Sequence, residues 1–139
     1  MLTASGGQFG QSVALSASGS TPLVGAPGRN KDTGAAYVFT LRRGTWSRTA
    51  VLTASNAAPG DEFGHSVALS ALGSTALAGA SVRHSETGAA YVFTLRRGTW
   101  SQTAELTASH GAPFDDFGRS VALSALGSTA LIGAPRERR

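Results

Sequence analysis

The side chains able to do chemistry are few, and they recur along the chain. Asp61-Glu62 and Asp115-Asp116 are adjacent acidic pairs, each just ahead of a Phe-Gly dipeptide. Neighbouring carboxylates are the start of a site for a hard cation, which takes about six to eight oxygen ligands. The corresponding place near the N-terminus holds Gly7-Gln8 instead. Aspartate in a turn also bonds its own backbone, so Asp61, Glu62, Asp115 and Asp116 are turn formers first and weak metal candidates second. Gly64-His65-Ser66-Val67-Ala68 has the outline of a serine nucleophile elbow, but it lacks the closing glycine. The matching positions of His65 are Gln11 and Arg119, and no partnered His and Asp are specified. Ser66 therefore reads as a serine at the mouth of an inner strand. Arg42-Arg43 beside Trp46, and Arg96-Arg97 beside Trp100, are two equivalent basic and aromatic groups at hairpin tips. Guanidinium and indole together suit sulfated sugars, carboxylated polymers or phosphates. Charged tips also keep strand edges soluble. These six residues are the ligand-binding candidates. A variable loop is the other: Arg29-Asn30-Lys31-Asp32 becomes Arg83-His84-Ser85-Glu86, with His84 a lone, solvated imidazole.

The composition narrows what can position these groups. The chain has 139 residues, 41% apolar and 14% charged, with 18 glycines and no cysteine. That excludes a disulfide framework and thiolate metal sites. No apolar run reaches the length of about 18 residues needed to span a membrane. The first residues carry no signal-peptide pattern. The net charge of +4 comes almost wholly from eleven arginines, three of them in the last four residues. Such a balance does not specify nucleic acid.

A repeat sets the architecture. Phe9, Phe63 and Phe117 each precede glycine and stand 54 residues apart. Residues 63–80 and 117–134 differ only at His65/Arg119 and Ala78/Ile132, and GAAYVFTLRRGTWS occurs unchanged at 34–47 and 88–101. Each period holds four strand-like segments. The first, Ser12 to Ser16, ends in a turn through Gly19, and the second runs from Pro22 to Ala26. A polar loop, Gly28 to Gly34, leads to the third, Ala35 to Leu41, where Tyr37, Phe39 and Leu41 face one way and Ala36, Val38 and Thr40 the other. Arg42-Arg43-Gly44 is a hairpin signal, and the fourth segment, Thr45 to Leu52, is the most polar. Four antiparallel strands, apolar inside and wet at the outer edge, describe a β-propeller blade. The expected divisions are the end of a preceding blade at 1–8, blades at 9–62 and 63–116, a half blade at 117–135 and a basic tail at 136–139. The fold class is therefore all-β: about two and a half blades, an incomplete ring. Propellers close with about four to eight blades, so an excised fragment, self-association or neighbouring blades are expected.

These residues resemble the FG-GAP repeat, the blade unit of integrin α-subunit propellers and of many bacterial surface and secreted proteins. The matches are Phe9-Gly10 with Gly25-Ala26-Pro27, Phe63-Gly64 with Gly79-Ala80-Ser81, and Phe117-Gly118 with Gly133-Ala134-Pro135. Ser81 departs from the family proline. The Gly-Ala-Ala-Tyr-Val-Phe and Gly-Thr-Trp-Ser segments look most like the bacterial branch. The resemblance implies a non-catalytic module binding a protein or glycan at the cell surface or outside the cell, or alternatively an accessory scaffold domain of a larger secreted enzyme. Many family members carry a calcium loop between the first two strands. Here those turns read Ala17-Ser18-Gly19, Ala71-Leu72-Gly73 and Ala125-Leu126-Gly127. They hold no carboxylate, so no cofactor is expected.

Overall fold

The computed structural model describes residues 6–136; the expected strand end at 1–5 and the tail at 137–139 lie outside the described residues. Ten strands are present among the described residues. The first sheet holds β1 (Ser12–Leu15), β2 (Pro22–Ala26), β3 (Ala35–Arg42) and β4 (Thr45–Leu52), in that spatial order and all antiparallel. The second repeats it with β5 (Ser66–Leu69), β6 (Thr75–Ala80), β7 (Ala89–Arg96) and β8 (Thr99–Leu106). The third has β9 (Ser120–Leu123) paired with β10 (Ala130–Gly133). These are two propeller blades and a half blade. No helix among the described residues is long and apolar enough to cross a membrane.

Local chemistry sets the strand ends. Ser16 leaves β1 because its hydroxyl accepts the Thr21 N–H at 3.1 Å, pinning the turn. Arg43 (φ 52°) and Gly44 (φ 76°) both take positive φ, the geometry that lets a two-residue hairpin follow the strand twist. In β4, Thr49 is an extra residue between the Val38–Ala50 and Phe39–Arg48 pairs. Its hydroxyl donates to the Val38 carbonyl at 3.4 Å, which holds the bulge. The loop expected at 28–34 contains a single tight turn at Arg29–Asp32, with Asn30 and Lys31 left-handed. The connector leading to the next repeat holds this strained turn: Gly60 N–H donates to the Lys31 carbonyl at 3.1 Å and Glu62 N–H to the Asp32 carbonyl at 2.7 Å.

Period-2 alternation gives every blade two apolar faces, one toward the preceding repeat and one toward the next. Leu23, Val38 and Leu52 on the trailing face of blade one merge with Val67, Tyr91 and Phe93 on the leading face of blade two. Phe63 anchors this seam, 5.6 Å from the Tyr91 ring and edge-on to Phe93 at 5.8 Å. Ala68, Leu77 and Ala90 on the other face of blade two pack toward Val121, Leu123 and Ile132. The Phe-Gly and Gly-Ala motifs meet across each seam. A side chain at Gly25 would collide with the Gly64 carbonyl oxygen, which also accepts the Ser12 hydroxyl at 2.9 Å. Gly79, Gly118 and Ser66 repeat that joint, with the hydroxyl contact at 2.7 Å. The turns join as well: Ala17 N–H donates to Ala71 O and Ala71 N–H to Ala125 O, both at 2.8 Å.

Candidate functional site

Three of the four acidic candidates, Asp61, Asp115 and Asp116, are engaged by nitrogen donors. Asp61 is buried; its Oδ2 accepts the Ala58 N–H at 3.0 Å and pairs with Arg83 Nη1 at 2.5 Å. Arg83 also donates to the Asn56 carbonyl at 2.8 Å and lies 3.8 Å from Glu105 Oε2. The single Tyr91 hydroxyl proton has two acceptors within reach, Asn56 Oδ1 at 3.0 Å and Glu105 Oε2 at 3.3 Å. Burial works against the Arg83 charge, but the Asp61 hydrogen bond and its anionic neighbours outweigh it and raise the pKa. Burial also pushes the Tyr91 hydroxyl up; Arg83 opposes this and Glu105 adds to it. Asp115 Oδ2 accepts the Ala112 N–H at 2.8 Å, and Asp116 pairs with Arg136 at 3.2 Å and Arg119 at 3.5 Å. Glu62 is left-handed (φ 57°) in the connector. Among the described residues no three His, Asp or Glu side chains converge as metal ligands. The sequence reading missed the Arg83 network. Its signal was present in two residues that change between copies, Asn56 (His110 one period on) and Glu105 (Val51 one period back).

Ser66 is not aimed at a base: its hydroxyl donates to the Gly118 carbonyl in the seam. His65 Nδ1 is buried without a hydrogen-bond partner, and His84 is exposed in its loop. These groups stay apart.

The basic and aromatic candidates are brought together in an unexpected pairing. Trp46 stands opposite Leu41 in the ladder, whereas Arg42 stands opposite Thr45. Alternation therefore puts Arg42 and Trp46 on opposite faces of one blade. Trp46 lies on the leading face and is 38% exposed. Trp100 occupies the same place in blade two, half-buried against the seam core. It meets the trailing face of blade one, where Arg42 lies. A cleft of about 240 Å³ there is lined by Arg42, Thr40, Thr49, Leu72, Leu95 and Trp100. A second groove of about 380 Å³ continues past Trp100 along β4, lined by Thr53, Ser55, Phe93, Thr99 and Gln102 among others. Arg96 has the position of Arg42 in blade two, and Arg43 and Arg97 occupy the left-handed turn positions (φ 52° and 51°). Indole, hydroxyl, amide and guanidinium thus share one rim cleft across the seam of two blades.

The turns between the first two strands do not fit calcium. Their oxygens serve the turns: Ser16 accepts from Thr21 N–H, and Ser70 and Ser124 accept from Thr75 and Thr129 N–H, each at 3.0 Å. A hard dication needs several carboxylates as well, and none is present there.

The family comparison agrees with the repeat. The profile of the FG-GAP repeat matches residues 3–39, 46–93 and 100–139. The second match runs from β4, the outer strand of blade one, into β7, the third strand of blade two. No curated protein matches the chain. Among solved structures, the crystal structure of TolB from Acinetobacter baumannii is similar at a TM-score of 0.39 and 16% identity, covering 87% of this chain and 36% of that one. With three matched repeats spanning nearly all of its length, the chain belongs to the FG-GAP repeat family and is a β-propeller module.

Proposed function

We propose that the chain is a non-catalytic binding module that holds a glycan in the rim cleft between blades one and two. The observation that carries this reading is Trp100 facing Arg42, Thr40 and Thr49 across the seam. A sugar ring offers an apolar C–H face to an aromatic side chain and hydroxyls to polar groups around it. The Ser66 hydroxyl donates to the Gly118 carbonyl across the seam, which supports reading this serine as part of the joint between blades. Its place at the cell surface or outside the cell rests on the family's surface and secreted members. Protease accessibility on intact cells checks that location, and complete protection would refute it.

Trp46→Phe leaves Trp100 as the sole indole reporter. Titration with polygalacturonate, its methyl ester, xylan and heparin is expected to shift Trp100 emission saturably with at least one polymer. An unchanged spectrum with all four rejects the glycan reading.

A further inference from the structure

We infer that this cleft, taken as the glycan site proposed above, selects polymers of acidic sugars, with Arg42 pairing the carboxylate of a sugar stacked on Trp100. Three observations carry the inference. First, neither stretch of the groove is lined by aspartate or glutamate, and Arg42 is the one formal charge in the lining. Among the described residues Arg42 forms no ion pair and no side-chain hydrogen bond. A guanidinium fork matches the two oxygens of a carboxylate and offers nothing to a cation.

Second, the nitrogen groups of the groove are donors, set among threonine and serine hydroxyls that can donate or accept. Thr49 spends its proton on the Val38 carbonyl, and its oxygen lies 3.0 Å from that of Thr40. Gln102 Oε1 accepts the Ser55 N–H at 2.9 Å, which leaves its NH₂ group as the open end of the amide. The Trp100 indole N–H is a donor only. Arg42 and Gln102 thus line the two adjoining stretches that meet at Trp100, and all three side chains carry N–H donors, which suit carboxylates and ring oxygens.

Third, the surrounding field has the same sign. Arg43, Arg96 and Arg97 crown the two hairpins, and none forms an ion pair among the described residues. Arg29 and Arg48, by contrast, lie over the Tyr37 ring on the opposite face of blade one, at 5.7 and 5.4 Å.

Polygalacturonate and its methyl ester test this directly, because the two share a backbone and differ in charge. R42Q is compared with R48Q, which removes the same charge from the other face. The expected result is about a tenfold loss of polygalacturonate affinity for R42Q, the scale of one charge-assisted hydrogen bond. R48Q is expected to change it less than about twofold, and neither variant to alter binding of the ester. Equal losses in R42Q and R48Q would mean that net charge alone acts, and the inference fails. Equal wild-type affinity for acid and ester also overturns it, yet leaves the glycan reading standing. Binding to neither these polymers nor xylan or heparin removes both.

Discussion

Arg83 and Arg29 hold the same place in successive repeats yet meet different neighbours. One period back, Asp61 becomes Gly7 and Glu105 becomes Val51, and the first copy lacks the four residues that include Asn56. Arg29 accordingly donates to the Tyr37 hydroxyl and lies over its ring. Arg83 instead ties a loop of blade two to the connector from blade one. A pair this enclosed leaves an unbalanced charge when one partner is removed. Asp61→Ala, Arg83→Ala and the double variant are expected to show a coupling of about 1.5–3 kcal/mol in denaturant unfolding at one fixed protein concentration. A coupling near zero would reduce the pair to a surface contact. Arg29→Ala is expected to cost less than Arg83→Ala.

At the scale of elements, the turn between the first and second strands is where a carboxylate loop for calcium would have to sit. In each copy a serine hydroxyl closes the turn, doing with one neutral oxygen what a metal would do with several carboxylates. Thermal unfolding with millimolar calcium and with chelator is expected to give nearly coincident curves. An ion bound only to the folded state adds about 2.7 kcal/mol at a hundredfold excess over its Kd. A clear rise in Tm with calcium would therefore contradict the assignment and direct attention to Asp61-Glu62 and Asp115-Asp116.

The whole molecule is held by stacking of blade faces, and the copies measure what a neighbour contributes. Val67, inside the first seam, is 8% exposed, while its counterpart Val13 on the outer face of blade one is 69% exposed. Leu77 is fully buried, and its counterpart Leu131 is 71% exposed. An apolar depression bounded by Phe9, Val13, Leu15 and Val24 continues the first of these open faces. Burying one such side chain is worth about 1.5–3 kcal/mol. The isolated 139-residue chain is thus expected to self-associate in light scattering. Val13→Glu with Leu131→Glu should shift it toward the monomer. A sharp wild-type monomer with cooperative melting would show that the open faces need no cover.

The repeat period, the strand order within a blade and the hairpin turns were legible in the sequence, because alternation, glycine and turn chemistry act over a few residues. β2 (Pro22–Ala26) and β4 (Thr45–Leu52) have the expected ends, and β1 and β3 differ by one residue each. The placement of Arg42, Arg43, Trp46, Arg96, Arg97 and Trp100 at or beside two hairpin turns was also legible. Their pairing was not. In sequence Arg42 belongs with Trp46, four residues away, but the pleat sends those two side chains to opposite faces. Arg42 instead lines a cleft shared with Trp100 of the next blade, because rigid sheets stack leading face on trailing face. The same stacking brings Asp61 to Arg83 and leaves Val13 open while covering Val67. Which face is covered, and by what, depends on how whole blades sit together, and that was decided only by the tertiary structure.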